Sequence, residues 1–190
     1  MISILMNNCV LFTIGHSNRS WDDFISLLLR SDINVVVDVR RFPSSRLWPQ
    51  FNKQNMAKEL IKHDIRYMHI EKLGGRRKEK EDYYRLEQCN NNGWRNKSFR
   101  AYANYMSSTK FKEGIQELLS IKKVKDNDES IIAILCAEAL PWQCHRRLIS
   151  DYLTILNISV YNIINSSYKP SLHKLPYFAI IDNGQITYPS

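Results

Sequence analysis

A chain of 190 residues with a formal net charge of +8 is long enough to bury a core, and its 44% hydrophobic and 24% charged residues are ordinary globular values. No apolar run approaches the roughly 18 residues of a membrane span, and the first residues are too short and polar for a signal peptide, so we expect a cytoplasmic protein without membrane association. Four irregularly spaced cysteines exclude a disulfide scaffold.

The first half of the chain alternates between predicted strands and predicted helices. Short apolar runs predict buried strands at residues 9–14, 34–39 and 65–70. Apolar residues at helical spacing predict helices at 21–29 and 53–63, and Ser20 is placed to cap the first of them. The segment 40–51, which contains two prolines, is expected to be a loop.

The second half repeats this alternation after a long polar stretch that ends at Ser98 and is expected to be either functional or disordered. Helices are predicted at 99–106, 111–122 and 146–156, and strands at 130–135 and 158–164. Asn183-Gly184 between the apolar runs 177–181 and 185–188 predicts a hairpin.

This order of elements predicts a single α/β domain over residues 1–190. We expect three layers, with a mostly parallel central sheet, helices on both faces and a small C-terminal β-hairpin. Ligands of such sheets bind outside the carboxyl ends of the strands. The segments that leave those ends, and that should therefore meet at one edge, are His16-Ser17, Arg40-Arg41, 74–77 and 136–147.

Three residues after the strand at 130–135 are candidates for catalysis. Cys136 lies at a strand end near arginines and a helix start, where thiolates are stabilised. Rhodanese-type and tyrosine-phosphatase-type enzymes use this arrangement, but their loop from the cysteine to the arginine is shorter than the loop from Cys136 to Arg146. A structural thiol is therefore the preferred interpretation. Glu138 and His145 are candidates for proton transfer. Alternatively, Glu138 forms a salt bridge with Arg146 or Arg147, and His145 fixes the loop by hydrogen bonding.

A metal site is considered and not predicted. Cys136, Cys144 and His145, with His16 as a fourth group, are possible zinc ligands. Their spacing matches no familiar zinc motif, however, and the adjacency of Cys144 and His145 makes ligation by both awkward. The sequence does not identify a cofactor.

Arginines in three of these segments predict a site for an anion, because the guanidinium group matches phosphate or carboxylate. The glycines at 74 and 75 would let the backbone approach a ligand closely. Solvated surface arginines are the alternative, and nearby aromatic residues permit base stacking without indicating it. The predicted binding residues are His16, Ser17, Arg40, Ser44, Gly74, Gly75, Arg76, Arg77, Tyr102, Cys144 and Arg146.

Several long motifs of the chain resemble the domain-of-unknown-function 488 family. They are TIGHSNRSWDDF, VVDVRRFPSSRLWPQFN, IRYMHIEKLGGRRK, NKSFRAYANYM, CAEALPWQCHRRLISDYL and the tail NGQITYP. The resemblance implies the same site residues, with Ser45 as an alternative to Ser44 and with Asp38 and Glu138 in addition, but no settled activity. The family often has a His-Pro-rich stretch after the last helix, where this chain has only Pro170 and His173, so a site role for His173 is not expected.

Three functions remain open from the sequence. The first is an enzyme of hydrolase or transferase type acting on a phosphate-bearing substrate, either a nucleotide or nucleic acid, with Glu138 and His145 in acid–base roles and Tyr102 positioning the ligand. The second is a non-catalytic nucleic-acid-binding or regulatory module. The third is a thiol-dependent sulfurtransferase or redox protein that uses Cys136 with Cys144. The expected partner is an anionic small molecule or nucleic acid.

Overall fold

The computed structural model describes residues 10–77, 90–121 and 130–190. Most of the long polar stretch predicted between 78 and 98 therefore lies outside the described residues, as does Cys9 of the first predicted strand. The helices are α1 (Trp21–Leu29), α2 (Lys53–Leu60), α3 (Lys97–Tyr105), α4 (Thr109–Ile121) and α5 (Arg146–Ile155). The strands are β1 (Val10–Gly15), β2 (Val35–Asp38), β3 (Arg66–His69), β4 (Ile132–Cys136), β5 (Ser159–Ile163), β6 (Ser171–Leu172), β7 (Ile180–Asp182) and β8 (Gln185–Thr187).

The central sheet has six strands in the order β3-β2-β4-β1-β5-β6, and its first five strands are parallel. Only β6, a two-residue strand that the sequence pattern did not predict, runs antiparallel. The register pairs Gly15 with Cys136 and Asp38 with both Leu135 and His69. Four strands therefore end at nearly the same level, which brings the segments that follow them to one edge.

Alternating strand residues supply the two faces of the sheet, as the two-residue period of a strand requires. Val35 and Val37 pack in one cluster with α3, α4 and α5, whereas Val36 packs in the other with α1 and α2. These two apolar layers confirm the α/β fold with helices on both faces. Among the described helices, none combines the length and the apolar character that crossing a membrane requires.

Local signals in the sequence explain where helix α1 begins and where the chain turns between β7 and β8. Ser20 caps α1, because its Oγ accepts a hydrogen bond of 3.1 Å from the Asp23 N–H. At the hairpin, Asn183 and Gly184 have φ of 47° and 72°, the left-handed conformations that a two-residue turn between β7 and β8 needs. Both predictions are confirmed.

Buried polar contacts attach the C-terminal segment to α5. Asp151 is fully buried, and its two carboxylate oxygens accept hydrogen bonds from His173 Nε2 at 2.6 Å and from Tyr188 Oη at 2.8 Å. The imidazole of His173 therefore contributes to tertiary packing in this fold, far along the chain from the strand-end segments.

Candidate functional site

The loops after β1 and β4 are joined by their backbones. His16 N–H donates to Cys136 O at 3.0 Å and Ser17 N–H donates to Ala137 O at 2.8 Å, which continues the strand pairing beyond the sheet. Gly15 permits this approach, since a Cβ at that position would lie 1.8 Å from Glu138 O. His16 and Ser17 are thus brought beside the 136–147 segment as predicted.

Asp38 and Arg40 form a buried ion pair at the end of β2. We call this pair, together with the two side chains that contact it, the Asp38 centre (His16, Asp38, Arg40 and Tyr67). Arg40 donates from Nε to Asp38 Oδ1 at 2.9 Å and from Nη2 to Oδ2 at 2.5 Å. Tyr67 Oη donates to Asp38 Oδ2 at 2.7 Å, and Arg40 Nη1 donates to His16 Nε2 at 3.0 Å. Asp38 is fully buried and Arg40 nearly so, so the Arg40 charge is already neutralised within the protein.

Burial dominates the titration behaviour of the Asp38 centre. It lowers the pKa of His16 to about 4; the hydrogen bond to Ser17 O opposes this effect, and the Arg40 charge adds to it. Burial also raises the pKa of Tyr67 well above its usual range, with the Asp38 charge acting in the same direction. His16 is therefore a neutral ring that donates from Nδ1 to Ser17 O and accepts at Nε2, and it does not exchange protons near neutral pH.

Two thiols and an imidazole meet at the end of β4, and we call them the sulfur cluster (Cys136, Cys144 and His145). His145 Nδ1 lies 3.8 Å from Cys136 Sγ and 3.6 Å from Cys144 Sγ. The other ring nitrogen, Nε2, donates to Val39 O at 3.0 Å. The sequence argued against joint use of Cys144 and His145, but the backbone changes from extended at Cys144 to helical at His145, and both side chains turn to the same side.

A fully buried arginine lies beneath the sulfur cluster. Arg146 donates from Nε to Cys144 Sγ at 3.4 Å, from Nη1 to Thr13 Oγ1 at 3.4 Å, and from Nη2 to the main-chain carbonyl of Glu138. Although burial alone would raise the pKa of the Cys144 thiol, hydrogen bonding with Cys136 and electrostatic interactions with His145 and Arg146 bring this pKa well below its usual value.

The segment 74–77 after β3, which we call the glycine loop, covers the sulfur cluster. A Cβ on Gly75 would lie 2.7 Å from His145 Nδ1, so only glycine leaves that side of the imidazole clear. Tyr102 Oη holds the loop by donating to Leu73 O at 2.7 Å, and its ring lies 5.0 Å from the His145 ring. Tyr102 is buried with its hydroxyl engaged, so it supports the loop rather than facing solvent.

The remaining predicted site residues of this edge lie nearer the surface than the sulfur cluster does. The Glu138 carboxylate is exposed, and Arg146 bonds to its main-chain carbonyl instead of forming the side-chain salt bridge considered from the sequence. Arg76 is exposed with φ of 56°, and Ser44 is exposed on the loop after β2. Arg77 donates from Nε to Gly74 O at 2.9 Å and stacks 3.9 Å from the centre of the Tyr105 ring.

Sequence reasoning missed three groups at this edge, two of which carry no chemical signal in the sequence. Thr13 lies inside an apolar strand, yet its hydroxyl accepts from Arg146. The backbone carbonyl of Val39 orients His145. Arg19 holds the loop after β1 by donating from Nε to Gly15 O at 3.0 Å, and an arginine beside the His16-Ser17 motif is the one signal that was available.

The family described as Domain of unknown function DUF488 matches residues 20–153. The chain belongs to this family. The DUF488 match includes the Asp38–Arg40 pair, the glycine loop and the sulfur cluster, whereas His16 and Ser17 precede it. No curated protein matches the chain, and no solved structure matches it either.

Proposed function

We propose that the protein is an enzyme of hydrolase or transferase type that acts on a phosphate-bearing substrate, a nucleotide or nucleic acid, at the carboxyl edge of the sheet. The main support is the charge of Arg146. Within the described part of the chain, the donors of this fully buried guanidinium bond a carbonyl, a hydroxyl and a sulfur, and none of them bonds a carboxylate. A buried cation without a carboxylate partner gives the edge a positive potential that favours an anion.

Exposed groups at the same edge supply direct contacts in this proposal. Arg76 is exposed at the end of the Gly74-Gly75 segment, and its fork matches a phosphate group. The exposed Glu138 carboxylate is the group that exchanges protons with the substrate or with water. His145 is assigned to positioning instead, because both of its ring nitrogens face protein atoms.

The two alternatives have weaker support. A thiol-dependent mechanism needs access to a sulfur, but Cys136 is 7% and Cys144 only 2% exposed. A non-catalytic nucleic-acid module needs open aromatic surfaces for stacking; Trp48 and Trp142 are exposed, whereas Trp94 and Tyr102 are buried in the core.

The binding half of the proposal is tested with two arginine variants of equal charge change. Arg76→Gln should weaken binding of nucleoside phosphates or single-stranded oligonucleotides roughly fivefold, the effect of losing about 1 kcal/mol at an exposed charge. Arg66→Gln removes an exposed arginine at the opposite edge, where β3 begins, and should leave binding unchanged. Isothermal titration calorimetry at low salt gives both constants. Equal losses in the two variants, or no binding by the wild type, would reject the proposal.

The catalytic half is tested by Glu138→Gln. Turnover of the best-bound phosphate ester should fall by about 100-fold or more, the usual contribution of a positioned proton donor or acceptor, while its binding constant stays the same. Binding without turnover in the wild type would instead favour the non-catalytic module, whose affinity should fall steeply with salt.

A further inference from the structure

The sulfur cluster has the dimensions of a tetrahedral metal site. Bonds of about 2.3 Å from zinc to sulfur and about 2.0–2.1 Å to nitrogen place tetrahedral ligands about 3.6 Å apart for S···N and about 3.8 Å for S···S. The two S···N distances here are 3.6 and 3.8 Å, and all three ligand atoms lie within 4.8 Å of one another. The S···N distances therefore match a tetrahedral site within about 0.2 Å, and the two sulfurs need to approach each other by at most about 1 Å to hold one ion.

The imidazole of His145 is already oriented as a ligand. A carbonyl oxygen only accepts hydrogen bonds, so Nε2, which lies 3.0 Å from Val39 O, carries the ring hydrogen. In the neutral ring, the lone pair is then on Nδ1, the atom that faces both sulfurs. Zinc-bound histidines almost always have such a partner on the second nitrogen, because it fixes both the tautomer and the ring orientation.

Neighbouring groups favour a soft or borderline cation. Arg146 Nε donates to Cys144 Sγ at 3.4 Å, a contact that supports a thiolate ligand. Two thiolates and a neutral imidazole would together neutralise the charge of a divalent ion. Sulfur and imidazole ligands select Zn²⁺ over Mg²⁺ or Ca²⁺, which take oxygen ligands.

The cluster provides three protein ligands, one fewer than a closed tetrahedral site needs. In residues 10–77, 90–121 and 130–190, no fourth His, Cys, Asp or Glu joins the group. His16, the fourth ligand considered from the sequence, uses both ring nitrogens within the Asp38 centre. Three protein ligands with one position left open are typical of catalytic zinc sites, whereas structural sites are closed by four.

We propose that Cys136, Cys144 and His145 bind one Zn²⁺ ion and leave its fourth position to a water molecule. A zinc ion there would supply Lewis acidity to the edge. The proposal does not depend on the phosphate-bearing substrate, since zinc binding and ligand binding are measured separately.

Metal content and a cobalt spectrum test the proposal on the full chain. Protein reconstituted with zinc and freed of excess metal should retain one zinc per chain by mass spectrometry. Co²⁺ in place of zinc should give a sulfur-to-metal charge-transfer band in the near ultraviolet and the intense visible bands of a tetrahedral ion. Substoichiometric zinc, or a cobalt spectrum without the charge-transfer band, would overturn the proposal.

Single substitutions assign the ligands. Cys136→Ser, Cys144→Ser and His145→Ala should each weaken zinc binding by more than the roughly 10- to 100-fold that outer-shell changes cause. Cys9→Ser and Cys89→Ser, which remove the other two cysteines of the chain, are matched controls and should retain wild-type affinity. Undiminished zinc affinity in His145→Ala would show that His145 is not a ligand and would contradict the proposal, as would loss of affinity in the controls alone.

A measurement on the wild type covers the case in which a variant does not fold. At a urea concentration just below the unfolding transition, where the buried thiols open transiently to solvent, bound zinc should slow alkylation of Cys136 and Cys144 by N-ethylmaleimide, and a chelator should restore the faster rate. Peptide mass spectrometry identifies the labelled residues. Equal labelling of these two cysteines with and without zinc would reject the site.

Discussion

Two polar centres lie at neighbouring strand ends and balance their charges differently. In the Asp38 centre, a buried carboxylate faces a buried guanidinium, and a tyrosine and a histidine satisfy the remaining atoms. Beneath the sulfur cluster, the buried guanidinium of Arg146 faces a thiol, a hydroxyl and a carbonyl. The first centre is complete without a ligand, whereas the second has positive charge that a thiolate, a metal–thiolate group or an anionic substrate can use.

This difference separates residues that shape the edge from residues that remain available for the proposed chemistry. Arg40 appeared from the sequence to be a phosphate ligand, but its guanidinium is used by Asp38, Phe51 O and His16. Its position fixes the loop after β2, and His69 Nε2 also holds this loop by donating to Arg40 O at 2.9 Å. The Asp38 centre therefore acts as a closed, buried neighbour of the proposed site.

The largest expected effect on stability comes from removing the counter-ion of Arg40 in the Asp38 centre. Asp38→Asn keeps the shape of the side chain but leaves the Arg40 charge buried without a counter-ion, so the free energy of unfolding should fall by about 3–5 kcal/mol. Urea unfolding measures the loss. The double variant Asp38→Leu with Arg40→Met removes both charges and should be more stable than Asp38→Asn. A single variant that loses less than about 1 kcal/mol would show that the ion pair is dispensable.

The Asp38 centre also predicts how stability depends on pH. The pKa of His16 is about 4 in the folded protein and 6.5 as the ordinary value, so the unfolded chain binds more protons between these values. The contribution of His16 is present above pH 6.5 and is lost as the pH falls towards 4. Between pH 7.5 and pH 5 this amounts to about 2 kcal/mol of unfolding free energy.

Comparison with His16→Gln isolates this pH effect from the titration of carboxylates. The variant keeps an acceptor for Arg40 but has no titrating ring, so its stability should fall by about 2 kcal/mol less than that of the wild type over the same range. Denaturant unfolding at both pH values, with a chelator present, gives the two slopes. Identical slopes would show that His16 is accessible to protons in the folded state.

How much of this edge follows from sequence depends on the range of the interactions. Buried strands are encoded by short apolar runs, and parallel strands place their ends together, so the meeting of His16, Arg40, Gly75 and Cys136 was predictable. The cap at Ser20 and the turn at Asn183 are equally local. These predictions needed no knowledge of tertiary contacts.

What the sequence did not predict depends on tertiary geometry. The pair formed by Cys144 and His145 arises from a backbone change after the short 3-10 turn Pro141–Gln143, which residue spacing does not reveal. The carbonyl of Val39 has no side-chain signal. Strand β6 has two residues, and its pairing with β5 determines that it is a strand.

A smaller effect is expected where the glycine loop covers the sulfur cluster. Tyr102→Phe removes the hydrogen bond to Leu73 O and should cost about 1–1.5 kcal/mol. Hydrogen exchange at residues 73–77 should become faster, since the loop loses this anchor. Tyr152→Phe is the matched control, because its half-buried ring packs edge-on against Phe111, and it should change stability little. Unchanged exchange in Tyr102→Phe would show that the loop is held by other contacts.

The smallest effect is expected for Arg77, which stacks on a ring near the glycine loop without entering either centre. Its guanidinium lies 3.9 Å from the centre of the Tyr105 ring and donates to Gly74 O at 2.9 Å. Arg77→Met keeps apolar contact with the ring and loses the charge, so the unfolding free energy should fall by about 0.5–1 kcal/mol. Arg77→Lys retains the charge and should recover part of this loss. If Arg77→Met also weakens phosphate binding as much as Arg76→Gln does, Arg77 contacts the substrate and belongs with the proposed binding residues.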